Sequence, residues 1–272
     1  FKLGVALPAM ALMAAFTSNV DADNTLSYAE LGKDGKTGEA QKLMIKGSKV
    51  RVDVPGGGTA MVFDADADTI YILELDKKKY MEMDPEMFSK LTAGISAMQT
   101  QLQAKLASLP EAQRAQVAAM MSKLGQGMLD GGKTPEIKQV ETGRKEKVGE
   151  YETEVVEVRE DGVKTAVYYV VDRDNLNVGE AEYATLQKFQ GFMEKMMKSL
   201  PVALKKKMEL QSLMAKQNRL PVRVDQVDGQ TVTQSNRLLG VSNDKLEETL
   251  FEVPADFQKR EMPLGAGGIP GN

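Results

Sequence analysis

The sequence predicts an α+β protein, an antiparallel meander of short strands with helices inserted between them. Three observations carry this. From Ser48 to Asp84 apolar and polar residues alternate with a period of two, the signature of strands. Each run there closes on turn chemistry, Pro55-Gly-Gly-Gly58, Asp64-Ala-Asp-Ala-Asp68 and Lys77-Lys-Lys79, so the strands fold back on one another as the skeleton of an open sheet or barrel. At Asp84 and again at Glu180 the apolar period changes to that of a helix.

In chain order, Asn24 to Leu31 reads as a first strand and Glu39 to Ile45 as a second, joined through the glycines at 32, 35 and 38. In the organising stretch, Val50, Val52 and Val54 point one way while Arg51 and Asp53 point the other. Strands at Thr59 to Phe63, Thr69 to Leu75 and Tyr80 to Met83 complete it. Phe88, Leu91, Ile95, Met98, Leu102 and Leu106 then fall on one face of a helix from about Pro85 to Ala107, with Asp84 as its N-cap. Leu109-Pro110 breaks this helix and starts another, lined by Val117, Met120, Met121 and Leu124 and stopped at Gly125 and Gly127. Strands follow at 137–147, 151–158 and 163–171. The run Ala166 to Val171 is apolar on both faces, as a well-covered strand requires. Glu180 to Leu200 is a helix with Leu186, Phe189, Met193, Met196, Met197 and Leu200 on one face, and beyond Pro201 a shorter helix is predicted to about Met214. Strands at 220–226 and 230–239 flank an Asp228-Gly229 turn, and Leu250 to Pro254 closes the fold.

The residue types that are missing narrow the chemistry. Cys and His are both absent from the 272 residues. Disulfides, thiolate nucleophiles and Cys-ligated metals are therefore excluded, together with the commonest general base and transition-metal ligand. Triad hydrolases and His-based metalloenzymes go with them, while carboxylate and Lys chemistry stays open. A net charge of −4 gives no electrostatic reason to expect nucleic-acid binding. No catalytic constellation and no cofactor motif emerge, so an enzyme is not expected.

Leu3 to Phe16 is an almost unbroken apolar run, too short for a membrane span and the length of a secretory h-region, with Lys2 read as the remnant of a basic n-region. Val20-Asp21-Ala22 supplies a cleavage site. Residues 1–22 are expected to be a signal peptide cut after Ala22, residues 23–264 a single domain with helical inserts at about 85–128 and 180–214, and 265–272 a disordered tail.

Several motifs carry bland readings beside sharper ones. Asp64, Asp66 and Asp68 begin like an EF-hand loop, but Thr69 and Leu75 stand where that loop needs Gly and an acid, which favours a solvated turn. The abundant methionines, among them Met120, Met128, Met208 and Met214, offer thioethers suited to Cu(I). Most of them lie at helical spacing, where unbranched, polarizable side chains serve as core or as an adaptable apolar lining. Lys205-Lys-Lys207 offers charge to anionic headgroups or simply to water.

The motifs Gly47-Ser-Lys-Val-Arg51-Val-Asp53, Lys79-Tyr-Met-Glu-Met83, Leu109-Pro-Glu-Ala-Gln-Arg114, Lys147-Val-Gly-Glu-Tyr151, Leu220-Pro-Val-Arg223 and Leu250-Phe-Glu-Val-Pro254 together resemble a functionally uncharacterised exported bacterial family of the LolA/LolB-like lipoprotein-carrier superfamily. The resemblance implies a strongly curved antiparallel sheet, an incomplete β-barrel, with the helical inserts forming a lid over its mouth. It also implies a hollow between sheet and lid that receives acyl chains.

The expected function is a periplasmic binding or carrier protein for a hydrophobic ligand, the acyl chain of a lipid or lipoprotein. Its lining is expected from Phe88, Leu91, Ile95 and Met98 on the first helix, Leu186, Phe189, Met193 and Met197 on the later one, and Val52 and Tyr169 on the sheet. The same stripes serve equally as filled core. A second expectation is an envelope sensor or scaffold that holds a partner protein through its helices, and a third is Met-mediated Cu(I) binding. The protein is expected to be a monomer with no nucleic-acid partner, making at most transient contact with a membrane surface or an envelope protein.

Overall fold

Period-two alternation becomes paired strand over most of the chain. The computed structural model describes residues 23–32, 34–108, 110, 136–198 and 218–260, and within its helices excludes the side chains at 91, 92, 95, 96, 98, 99, 102, 103, 105–108, 197 and 198. The expected signal peptide, the second helix after Pro110, the helix beyond Pro201 and the tail lie outside the described residues.

Six strands precede the first helix: β1 (Asn24–Leu31), β2 (Thr37–Lys46), β3 (Lys49–Asp53), β4 (Thr59–Asp64), β5 (Thr69–Glu74) and β6 (Lys79–Met83). Helix α1 spans Pro85–Ser108, with the Asp84 carboxylate accepting from the Met87 amide at 2.6 Å as an N-cap. Then come β7 (Ile137–Val148), β8 (Tyr151–Glu160), β9 (Val163–Asp172), α2 (Glu180–Lys198), β10 (Arg219–Asp228), β11 (Thr231–Ser242) and the two-residue β12 (Gln258–Lys259). Short 3-10 turns occupy Arg173–Leu176 and Glu248–Phe251.

All twelve strands join one sheet in the order β12-β6-β5-β4-β3-β2-β1-β11-β10-β9-β8-β7. Every described pairing is antiparallel except the parallel β12 and β6. Two meanders, β1 to β6 and β7 to β11, are therefore fused where β1 pairs with β11, Leu26 opposite Val241. Among the described residues the edges, β12 and β7, do not pair with each other, so the sheet stays open.

Alternation sorts the apolar residues onto two faces. One face carries Ile45, Val50, Phe63, Ile70, Val155, Val167, Tyr169 and Val171, and α2 packs there through Tyr183, Leu186 and Phe192. The other carries Met44, Ala60, Val62 and Leu73 beneath Leu246, Leu250, Phe251, Val253 and Phe257 of the C-terminal segment. Farther along it lie Val156, Val158, Ala166, Tyr168, Val170 and Val224. All six residues from Ala166 to Val171 are buried, as two-faced apolarity requires.

This arrangement corrects the expected LolA-like α+β fold, an incomplete barrel with helical inserts forming a lid. Sheet dominates, with twelve strands against two α-helices among the described residues. Helix α2 lies on β2 and β3, whereas α1 meets β6. The physical reason is that apolar residues are divided between both faces of long strands. The second face is covered by a C-terminal segment with no helical period, docked where Arg51 Nη1 donates to the Leu250 carbonyl at 2.7 Å. The closing stretch Leu250 to Pro254 accordingly runs from a 3-10 turn rather than through a paired strand.

Candidate functional site

Helix α2 is fixed at its amino end. The Glu182 carboxylate folds back over Gly179 so closely that a Cβ there would lie 2.0 Å from Oε2, and the Thr185 hydroxyl donates to the Gly47 carbonyl at 2.8 Å. The helix is thereby registered on the β2–β3 turn. One turn further on, the Phe63 ring of β4 meets Phe189 and Phe192, with ring centroids 5.4 and 5.3 Å away and tilted geometries, the offset arrangement aromatic quadrupoles favour.

Burial then falls off along the strands. The cross-strand row Ile45, Val50, Phe63, Ile70 and Met83 is buried. The next row on the same face is Leu43, Val52, Met61, Ile72 and Met81, in which only Val52 is buried and the others are half-buried. Phe189, Met193 and Met196 on α2, spaced by four and three residues, are likewise half-buried and pack against the same core. The result is an apolar margin shared by sheet and helix, rich in thioethers that adapt to irregular shapes.

Of the residues expected to line a ligand site, Val52, Phe88, Tyr169 and Leu186 fall in this one contiguous cluster, with Phe189 and Met193 at its half-buried edge. The side chains of Leu91, Ile95, Met98 and Met197 are outside the described ones. Sequence reasoning missed Phe63 as the ring partner of Phe189, and Leu43, Met61 and Ile72 at the half-buried edge of the same cluster. Alternation places them on the face of Val52, but only the register aligns them with it.

Polar groups gather at another end of the sheet. Arg223 lies 5.0 Å over the ring centroid of Tyr169 and pairs with Asp225 at 2.8 Å; Asp225 also accepts from the Ser235 hydroxyl at 2.6 Å. Burial, then the carboxylates of Asp225 and Glu146, push the Tyr169 phenol up from its usual range, against the pull of Arg223. Nearby, residues Val148 to Tyr151 of the β7–β8 turn and Arg237 to Leu239 of β11 enclose a pocket of about 240 Å³. Strands β9 and β10 lie between β8 and β11 in the sheet order, so the turn reaches this pocket only because the sheet bends there. In the same strand, β7, the register shifts between Glu141 and Lys145, with Gly143 at φ 69°. The Asp64 carboxylate accepts from the amides of Asp66 and Ala67, an Asx turn that explains this acidic run. Among the described residues no group of three or more Asp or Glu is placed to hold a metal ion.

No protein-family model matches the sequence, and no curated protein matches it. Among solved structures, an uncharacterized conserved protein from Thermus thermophilus is similar at 9% identity with a TM-score of 0.40, over 89% of this chain and 91% of that one. PNGF-II in two crystal forms is similar at 6% and 8% identity with TM-scores of 0.37 and 0.38, over 88% and 89% of this chain. The chain spans 31% of the length of PNGF-II. Likeness at these values carries no inference about function.

Proposed function

We propose that the protein is a periplasmic binding or carrier protein for a hydrophobic ligand, the acyl chain of a lipid or lipoprotein. The observation that carries this reading is that Phe189, Met193 and Met196 of α2 and the half-buried row Leu43, Met61 and Ile72 all leave apolar surface open at the edge of one core. An acyl chain laid along it gains roughly 0.8 kcal/mol for each methylene it buries, without disturbing the closed row behind. The resemblance of the sequence motifs to a lipoprotein-carrier superfamily supports the same ligand class, and the apolar run Leu3 to Phe16 supports export.

A fluorescent fatty acid titrated into the protein tests the reading. Saturable binding, displaced by unlabelled fatty acid and lost when Met193 is replaced by Asp in a folded variant, is the expected result. Undiminished uptake by that variant would refute this placement of the ligand.

A further inference from the structure

The side chain that stands out away from α2 is Arg237. It is half-buried on β11 and makes no hydrogen bond or ion pair with any described residue. Its cross-strand neighbours are Ala29 and a second cation, Arg223. Arg223 already directs its charge to Asp225 and to the face of Tyr169, so it offers Arg237 repulsion rather than relief. Across the pocket the β7–β8 turn is shaped around the guanidinium. Gly149 has φ +63°, and a Cβ there would lie 2.6 Å from Arg237 Nη2.

The other walls are chemically mixed in a useful way. Val148 and Leu238 belong to the same contiguous apolar cluster that reaches Phe189 and Leu43. Glu150, the acidic group in the lining, hydrogen-bonds to the Tyr151 phenol and lies outside ion-pair distance of Arg237. A half-buried cation without a counter-charge is costly, and it is relieved by an anion that also brings apolar surface.

We propose that Arg237 is the seat for the anionic head of the ligand, a compact oxyanion carried on an acyl chain, held between the β7–β8 turn and β11 with its tail against Val148 and Leu238. The inference rests on the acyl-ligand reading above and adds the charge and position of the head. A pocket of about 240 Å³ takes the head and the first methylenes, leaving the rest of the chain to the cluster beyond.

Isothermal titration of the protein with decanoate, decyl phosphate and decanol tests it. Arg237→Gln is expected to weaken one or both of the anionic probes by about tenfold, the loss of a charge-assisted hydrogen bond, while decanol binds as before. Which probe suffers more tells a fatty acid from a phospholipid head. Equal binding of all three probes by wild type and R237Q, or an equal loss of all three, overturns the inference and leaves the acyl reading standing. If none of the three binds the wild type, the acyl reading fails and the inference with it. A measurement without any variant guards against misfolding: the Gly149 amide resonance is expected to shift with decanoate and to stay put with decanol, and an unmoved Gly149 under saturating decanoate contradicts the proposal.

Discussion

Phe189 and Phe192 both lean on Phe63, yet one belongs to the closed core and the other to its open margin, and their truncations are expected to separate stability from binding. Phe192 is 3% exposed. Removing a fully buried phenylalanine costs roughly 3–5 kcal/mol through lost transfer energy and the cavity left behind. Phe189 is half-buried, so its transfer contribution is halved to about 1 kcal/mol, and the ring contact with Phe63 adds about 1 kcal/mol more. For a chain of this size each kcal/mol moves Tm by about 2–4 °C. F192A is therefore expected to melt roughly 6–20 °C below wild type and F189A roughly 4–8 °C below. In a fatty-acid displacement assay at a temperature where both variants are folded, F189A is expected to lose about tenfold in affinity, the equivalent of ~1.4 kcal/mol. Two results would refute this reasoning: a melting loss in F189A as large as in F192A, which makes Phe189 ordinary core, or an unchanged acyl affinity in F189A.

Three further outcomes are expected. Asp23→Ala removes the acceptor of Lys46 Nζ at 3.0 Å and of the Leu246 amide at 2.7 Å, leaving Lys46 with Glu248 at 3.3 Å and the amide without its acceptor; the urea midpoint is expected to fall below that of wild type. The Tyr28 phenol, which donates to the Pro221 carbonyl at 3.1 Å, is held above its ordinary pKa of 10.0 by burial and by the neighbouring Tyr151. Its contribution is complete below pH 10.0 and is lost as pH rises toward the folded value, because the unfolded chain ionises first; Tyr28→Phe should therefore flatten the alkaline fall in stability seen by denaturant midpoints. Arg51→Met keeps the stem but removes the donor to the Leu250 carbonyl. Amide exchange at Leu250 is expected to quicken by a factor of about five to ten, the loss of roughly 1 kcal/mol of local protection.

Local elements were largely legible in the sequence because their causes are local. Alternation and turn residues placed Asn24–Leu31 as observed, Asp84 and Pro85 set the start of α1, and Asp228-Gly229 marked the turn between β10 and β11. What was not legible depends on pairing between distant segments. Nothing near Leu26 or Val241 states that β1 will join β11 and fuse two meanders into twelve strands. Without that, the helices looked large enough to form a lid. The short β12 beside β6 has two residues and no pattern to read. The candidate site divides the same way. Helical spacing picked out Leu186, Phe189 and Met193 on α2, whereas the row of Leu43 and Met61 at the edge of the same cluster follows from register. The pocket at Arg237 exists because the β7–β8 turn comes up against β11, with β9 and β10 between them in the sheet order, a long-range consequence that the residues around Arg237 do not encode.

The central claim is that an acyl ligand occupies this protein, and native mass spectrometry of the protein purified gently from its native cells, followed by organic extraction, tests it most directly. A stoichiometric adduct that extracts as a lipid or fatty acid is the predicted result. An empty protein that also fails to take up added fatty acid would contradict the claim and turn attention to a partner protein on the same apolar margin.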